Sequence, residues 1–381
     1  MFKSSFQYHS INTNISNDSS LKIIIAGGGT GGHIFPALSI ANALKENNPS
    51  IEILFIGARG KMEMEKIPEA GYQIIGLNIA GFNRSSLIKN IDLPFKIIDS
   101  FLQVRKIVNQ FKPNAAIGVG GYSSFPVLKY CQSKGIKTFI HESNSFAGKS
   151  NILLGKNATQ IFVASDGMEK FFPKNKILFT GNPVRKSITH IQSSKTEALQ
   201  YFSLEENKKT VLIVGGSLGS KTINQSILNG LEKFKANHIQ LIWQTGKLTA
   251  DEFVKEHNIN DGFWVSAFIK EMEKAYTAAD IIISRSGAMS VAEICVVNKP
   301  VIFVPFPYAA EDHQTVNAKQ LVNKNAALMV TDGDAKNTLV NKTIELVNDE
   351  EQQQILIKNI ASFGITNADE QIANAILEKL I

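Results

Sequence analysis

From Leu21 onward, short apolar runs alternate with stretches whose apolar positions recur at helical spacing. Short continuous apolar runs predict strands buried on both faces, and the 3.6-residue period between them predicts amphipathic helices. Strands are expected at Leu21–Ala26, Ile51–Ile56, Gln73–Leu77, Ala115–Val119, Lys137–Ile140, Gln160–Val163 and Ile177–Phe179. Asn182-Pro183 and the polar segment from Ser187 to Asn207 interrupt this rhythm. It restarts at Thr210–Val214 and continues through Ile239–Trp243, Phe263–Val265, Asp280–Ser284, Pro300–Val304 and Ala326–Val330. Alternation of this kind predicts an α/β protein with two doubly wound parallel-sheet (Rossmann-like) domains facing across a cleft. The last segment, Asn367 to Ile381, carries Ile372, Ala375, Ile376 and Leu380 at helical spacing and predicts a helix that docks on one of the two halves.

Both halves open with a strand that runs into glycines. In the first, L-K-I-I-I-A-G-G-G-T-G-G-H places five glycines and Thr30 between a β-branched run and a helix that starts near His33. Glycines allow close backbone approach, and the free amides at a helix start favour negative charge, so a phosphorylated ligand is expected there. Gly27, Gly29 and Gly32 satisfy G-x-G-x-x-G, but the end of the next strand carries Gly57, Ala58 and Arg59 in place of a ribose-binding acid, and Glu52 sits at its beginning. An NADP reading that uses Arg59 for a 2′-phosphate stays open. His33, at the mouth of the loop, is either a structural histidine or a general acid or base.

Composition narrows the class. The chain has 381 residues, 44% hydrophobic and 19% charged, a globular composition long enough for two to three domains. The net charge of +6 is too mild to imply nucleic acid. Cys131 and Cys295 lie in separate apolar stretches and read as reduced core thiols. No apolar run reaches the roughly 18 residues of a membrane span, and residues 1–20, rich in Ser and Asn, read as a disordered extension without a signal-peptide core.

Further polar groups gather at expected strand ends. Arg285 to Glu293 (R-S-G-A-M-S-V-A-E) is a small-residue loop opening a helix, with Glu293 either accepting sugar or ribose hydroxyls or serving as a charge near the helix N-terminus. His141-Glu142-Ser143-Asn144 is a quartet expensive to bury and therefore expected to face the cleft. Gly120-Gly121-Tyr122-Ser123-Ser124 is a third glycine loop, suited to a second phosphate-bearing ligand or to a plain helix cap. Glu311, Asp312 and His313 suit a metal less well than Gln314 and Asn317 suit polar ligand contacts, and Asp332-Gly333-Asp334 is ordinary turn chemistry more than a metal-holding D-x-D. Between Arg84 and Lys112, six basic residues and two acids (net +4) are interleaved with apolar ones. That segment is either a face dipping into an anionic membrane or a core helix with a solvated basic side.

Taken together, G-G-G-T-G-G-H, G-V-G-G-Y, H-E-S-N, G-N-P-V-R, V-G-G-S-L-G, S-R-S-G-A-M-S-V-A-E and E-D-H-Q-T-V-N-A resemble, in order from about residue 21 to 318, the MurG family of bacterial lipid-linked peptidoglycan N-acetylglucosaminyltransferases. The resemblance implies a GT-B fold divided into an acceptor and membrane-facing domain (21–184), a UDP-GlcNAc-binding domain (185–366) and a closing helix (367–381) that returns to the first domain. It implies an inverting hexosyltransferase that moves GlcNAc from UDP-GlcNAc to the MurNAc 4-hydroxyl of undecaprenyl-pyrophosphoryl-MurNAc-pentapeptide (lipid I), forming lipid II for peptidoglycan, cell shape and division. The implied donor contacts are Thr30, Gly31, Gly32, Asn144, Arg185, Ser217, Ile269, Ala288, Met289, Ser290, Val291, Ala292, Glu293 and Gln314. Ser217 and Arg285 to Ala288 suit phosphate, Glu293 the ribose diol and Gln314 the transferred sugar. His33 matches the base or acceptor-positioning group, and Gly120, Gly121, Tyr122, Ser123 and Ser124 would meet the acceptor pyrophosphate, with Phe125 departing from the small residues usual after the tyrosine. No cofactor or metal is implied, and the expected partners are the two substrates, an anionic membrane and cell-wall synthesis proteins. The expected location is peripheral, on the cytoplasmic face of the inner membrane. A related GT-B enzyme with another acceptor, a UDP-GlcNAc epimerase and an NADP-dependent oxidoreductase are the competing readings.

Overall fold

In the computed structural model, which describes residues 20–80, 92–247, 250 and 262–380, the apolar runs become two parallel sheets. The first contains β1 Lys22–Ala26, β2 Glu52–Ala58, β3 Gln73–Leu77, β4 Ala115–Gly118, β5 Lys137–Glu142, β6 Gln160–Val163 and β7 Ile177–Phe179. The second contains β8 Lys209–Val214, β9 Ile239–Gln244, β10 Phe263–Ser266, β11 Ile281–Ser284, β12 Val301–Phe303 and β13 Leu328–Met329. The helices of the first half are α1 Gly31–Asn47, α2 Glu63–Glu69, α3 Leu93–Phe111, α4 Ser124–Ser133 and α5 Lys149–Gly155. Next come α6 Lys186–Thr189, α7 Lys195–Tyr201, α8 Lys221–Ala236, α9 Met272–Ala278 and α10 Ala288–Val297. Then follow α11 His313–Val322, α12 Ala335–Asn348, α13 Glu350–Ile360 and α14 Ala368–Leu380.

The unbroken apolar character of the strands follows from their two-sided burial. On β1, Ile23 and Ile25 join a core with Ile40 and Phe139, while Ile24 and Ala26 join the opposite core with Leu54 and Val104. On β8, Val211 and Ile213 face one layer and Leu212 and Val214 the other. The period of two divides each strand between both faces, so most positions are apolar.

Strand order fixes where ligands can sit. The first sheet runs β3-β2-β1-β4-β5-β6-β7 and the second β10-β9-β8-β11-β12-β13, all parallel. Chain direction across the sheet reverses between β1 and β4 and again between β8 and β11. Each reversal opens a crevice at the carboxyl ends of those strands. All the glycine loops singled out above lie at one crevice or the other.

Helix α14 brings the end of the chain back to the first half, where Ile372, Ala373 and Ile376 are fully buried in the layer that holds Ile40 and Leu44 of α1. Residues 1–19, together with Arg84 and Lys89 of the basic segment, lie outside the described residues. The part of that segment on α3 has two faces. Val104 and Val108 are buried against the sheet, while Phe95, Ile98 and Leu102 are each at least 60% exposed.

Candidate functional site: a cleft between two glycine-loop crevices

The first crevice is built from two backbones in contact. Gly28 N–H donates to the Gly120 carbonyl (3.3 Å), and a Cβ on Gly121 would lie 2.5 Å from the Gly28 carbonyl oxygen. Neither loop has room for a side chain at the contact, and Gly120 also holds a left-handed φ of 95°. Thr30 precedes α1 without a side-chain cap and is exposed, and Gly31 and Gly32 are half-buried. His33 donates from Nδ1 to the Gly28 carbonyl (3.0 Å). Because a carbonyl only accepts, that bond puts the proton on Nδ1 and leaves the Nε2 lone pair free, beside Gly120. Burial lowers the His33 pKa below its usual value, against the raising effects of the Gly28 bond and of Glu142 and Glu63; His313 from the other half lowers it further. The imidazole is therefore neutral at pH 7.

Glu63, on α2, was not a candidate in the sequence, yet it organises this loop. It is 1% exposed, its Oε2 accepting from Gly29 N–H (2.8 Å) and its Oε1 from Ala58 N–H (3.0 Å). One amide of the first glycine loop, that of Gly29, is thus bound by an internal carboxylate, while the helix-start amides at Gly31 and Gly32 have no side-chain cap. The signal available was Gly57, which closes in on Glu63 just as Gly28 does: a Cβ at either position would fall within 2.5 Å of the Glu63 side chain.

In the neighbouring loop after β4, Ser123 and Ser124 are buried, Ser124 Oγ donating to the Gly121 carbonyl, while Tyr122 projects 56% exposed. Phe125 packs into the core of the first sheet, so its bulk points away from the loop. The H-E-S-N quartet also differs from expectation. Strand β5 continues through Glu142, and His141, Glu142 and Ser143 are buried; only Asn144 is partly exposed. Burial is tolerated because Glu142 is satisfied internally, by the N–H groups of Asn144 (3.1 Å) and Gly148 (3.1 Å) and by Asn151 Nδ2 (2.8 Å). Burial also drives the His141 pKa down to about 4.

The second crevice has the opposite internal charge. Arg285, at the end of β11, is 8% exposed. It donates to the carbonyls of Val304 and Pro305 (2.9 Å each) and to Ser220 Oγ (2.6 Å), and pairs with Asp332 (2.6 Å). Its side chain is thus committed to holding three loops together, which corrects the expectation that it serves phosphate directly. Asp332 also accepts from Thr222, and Asp334 from Thr331, so both acids of D-G-D are bound within the fold.

Around that lock lie the remaining candidates. Ser217 is half-exposed on the loop after β8, and Gln244 ties the carbonyl of Gly216 in that loop to the buried Ile269, accepting its N–H at 2.9 Å. Ala288, Met289 and Ser290 form the first turn of α10, which has no side-chain cap. Val291 and Ala292 follow, half-buried, and Glu293 is 7% exposed. Glu293 Oε1 accepts from Arg185 Nε (3.2 Å) and Nη2 (3.0 Å), and its Oε2 from the Tyr276 hydroxyl (3.0 Å). Burial raises the Tyr276 pKa well above its usual value, keeping that hydroxyl a donor. Gln314 Oε1 accepts from Phe306 N–H (3.0 Å).

The two crevices are joined. The Arg185 guanidinium stacks over the Phe35 ring of α1 at 4.5 Å while bonded to Glu293 of α10. Ser145 donates to Asn317 (2.6 Å), which in turn donates to the Ser286 carbonyl (3.1 Å). Asn182 donates to the carbonyls of Ser143 (3.1 Å) and Ala288 (3.5 Å). These contacts bring the loops of the two halves together, and Ser143, Asn182, Ala288, Val291, Ala292 and Asn317 line a pocket between them. Among the described residues, no group of His, Cys, Asp and Glu is arranged to hold a metal ion.

Comparison with known proteins agrees with this architecture. Residues 23–163 match the glycosyltransferase family 28 N-terminal domain and residues 210–373 its C-terminal domain. A protein of Phocaeicola vulgatus named UDP-N-acetylglucosamine--N-acetylmuramyl-(pentapeptide) pyrophosphoryl-undecaprenol N-acetylglucosamine transferase is 52% identical over 95% of this chain and 97% of its own length. The transferase of the same name from Parabacteroides distasonis is 48% identical over 94% of this chain and 98% of its own. Among solved structures, Acinetobacter baumannii MurG superposes with a TM-score of 0.71 at 26% identity, covering 94% of this chain and 99% of that one. A UDP-GlcNAc 2-epimerase from Neisseria meningitidis, bound to UDP-GlcNAc, reaches a TM-score of 0.66 at 16% identity, covering 94% of this chain and 100% of that one; it shares the fold alone.

Proposed function

This chain belongs to glycosyltransferase family 28, and we propose that its cleft moves GlcNAc from UDP-GlcNAc to the MurNAc 4-hydroxyl of undecaprenyl-pyrophosphoryl-MurNAc-pentapeptide, with inversion. The observation that carries this reading is the 52% identity, across 95% of the chain, to a transferase named for that reaction. The fold is GT-B, and the enzyme is a UDP-GlcNAc-dependent glycosyltransferase of peptidoglycan synthesis.

The chemistry divides between the halves. In a direct displacement, the acceptor hydroxyl loses a proton as its oxygen attacks the anomeric carbon, and the sugar–phosphate bond breaks to release UDP. His33 supports the first event: neutral, with its Nε2 lone pair free, it takes the proton. Residues 21–184 form the acceptor half, with Gly120 to Ser124 beside the acceptor pyrophosphate. Residues 185–366 form the donor half, and the helix in 367–381 closes on the acceptor half. The uncapped amides of Ala288 to Ser290, with Ser217 and Arg185, meet the charge that develops on UDP. Glu293 takes the ribose diol. Because Arg185 already occupies its Oε1, donor binding shares or displaces that pair, freeing the guanidinium for the diphosphate. Thr30, Gly31 and Gly32 border the transferred sugar together with Gln314, and Asn144 and Ile269 complete the donor contacts.

Docking to the cytoplasmic face of an anionic membrane is part of the same reading. The exposed apolar residues Phe95, Ile98 and Leu102 of α3 stand among exposed Arg105 and Lys106 and half-exposed Lys96. No helix among the described residues is long and apolar enough to cross a membrane, so attachment by this face is peripheral.

One assay tests the reading: transfer of labelled GlcNAc to a lipid I analogue, in detergent and in vesicles of anionic or zwitterionic lipid. The expected result is a disaccharide lipid, formed with or without EDTA, and faster on anionic vesicles. Conversion of UDP-GlcNAc without acceptor would instead support an epimerase. Equal rates on both vesicle types would remove the membrane-docking role of α3.

A further inference from the structure

We propose that Glu63 is a positioning residue for the transfer reaction: through the single peptide group between Gly28 and Gly29, its buried carboxylate holds the His33 imidazole in the orientation and tautomer that leave Nε2 free. This rests on the reading of His33 as the base. The geometry is that of a relay across one rigid plane. A trans peptide directs its N–H and C=O to opposite sides. Glu63 Oε2 accepts the Gly29 N–H at 2.8 Å, and the Gly28 carbonyl of the same peptide accepts His33 Nδ1–H at 3.0 Å. A charged acceptor on the N–H polarises the peptide and strengthens its carbonyl as an acceptor. A carboxylate thus orients an imidazole without touching it, with a peptide unit between them.

Three further observations support this arrangement. Glu63 is 1% exposed and uses its other oxygen on Ala58 N–H (3.0 Å), so it is fixed to the end of β2 and cannot swing away. Gly28 and Gly57 are both glycines facing it; a Cβ on Gly28 would lie 2.3 Å from the Glu63 carboxyl carbon, and one on Gly57 would lie 2.5 Å from its Cγ. The Gly28 N–H is held from the other side by the Gly120 carbonyl. The peptide has no freedom to turn its carbonyl away from His33.

The charged and titratable groups acting on His33 are Glu63 and Glu142, which favour the imidazolium, and His313 and His141, which oppose it. Removing the Glu63 charge should therefore lower the pH at which His33 titrates.

The test is Glu63→Gln, which keeps the length and removes the charge, beside Glu63→Asp, which keeps the charge and shortens the reach. Imidazole titration is followed by NMR on histidine-labelled protein, with His33→Ala identifying the signal among the seven histidines. Turnover is measured against pH, and UDP-GlcNAc affinity directly. In Glu63→Gln the His33 titration and the acidic limb of the turnover profile should both move to lower pH. Turnover should fall by about ten- to hundredfold, as for partners that orient a reacting group, with donor affinity unchanged. Glu63→Asp should lose turnover with a smaller shift in titration. An unmoved His33 titration in Glu63→Gln overturns the proposal, even where the variant melts at lower temperature. Full turnover in His33→Ala overturns the base reading instead, and the NMR titration still reports separately on Glu63.

Discussion

The two crevices share a topology and differ in the sign of the charge that locks them. In the first, the loop after β1 closes over the carboxylate of Glu63, which takes the Gly29 amide. In the second, the loop after β8 closes over the guanidinium of Arg285, which takes Ser220 Oγ and two carbonyls. A buried anion behind a glycine loop removes an amide from service and disfavours a second anion nearby, while favouring a neutral base that will become cationic. The guanidinium, itself paired with Asp332, cannot accept from an amide, and the first turn of α10 stays uncapped by any side chain, which suits a diphosphate. Two copies of one strand–loop–helix plan thus acquire different chemistry from a side chain placed behind the loop. Glycine loops identify a crevice; the residue packed against them decides what it suits.

That contrast is open to direct attack, and His33→Ala should produce the largest effect. Loss of a general base is expected to reduce turnover by about 10²- to 10⁴-fold with UDP-GlcNAc affinity nearly unchanged, measured by steady-state transfer and calorimetry. Loss of donor affinity in this variant would place His33 in the donor site and erase the division between the halves.

Arg285→Met removes the cationic lock. It leaves the half-buried Asp332 without its guanidinium, and since removal of one partner from a fully buried ion pair costs about 3–5 kcal/mol, the loss here should lie near the lower end of that range. Thermal or denaturant unfolding should show this loss, together with weaker UDP binding by the second half. Unchanged stability would mean that Ser220, Val304 and Pro305 hold their loops without Arg285.

A smaller effect is expected for Glu293→Ala. A ribose diol left without its acceptor costs about 1–3 kcal/mol, read as weaker UDP-GlcNAc binding, with turnover at saturating donor close to wild type. Since Arg185 loses its partner in the same variant, Tyr276→Phe provides the control: it removes one bond to Glu293 and leaves the Arg185 pair intact. If donor affinity in Glu293→Ala equals wild type, the diol is held elsewhere.

Several elements were legible to the residue in the apolar pattern. Strands Gln73–Leu77, Gln160–Val163 and Ile177–Phe179 lie where the sequence predicts them. Others shifted where pairing decides the ends: β5 runs on through His141 and Glu142 because β6 pairs with both, and the last strand shortens to Leu328–Met329, where β12 offers only two partners. The same extension of β5 is why His141 and Glu142 are buried, whereas Ser143, just beyond the strand, lines the pocket between the halves. The Glu142 carboxylate can enter the core because its oxygens are met by residues up to nine positions away.

What the sequence determined by itself was the plan: two rounds of strand and helix, a glycine loop at each crevice, and the small set of polar residues that border the cleft. These features are local, since an apolar run, a glycine turn and a helix start are written in consecutive residues. Only the tertiary structure decided which of the polar residues act on ligands and which act on the protein. Glu63 and Arg285 are both charged residues close to a glycine loop in space, and apart from Gly57 near Glu63 nothing in their own neighbourhoods marks them as internal locks. Their roles arise because β2 lies beside β1, and because β11 lies between β8 and β12. That adjacency brings a buried charge against backbone groups far along the chain, where the low-dielectric interior makes each such bond count.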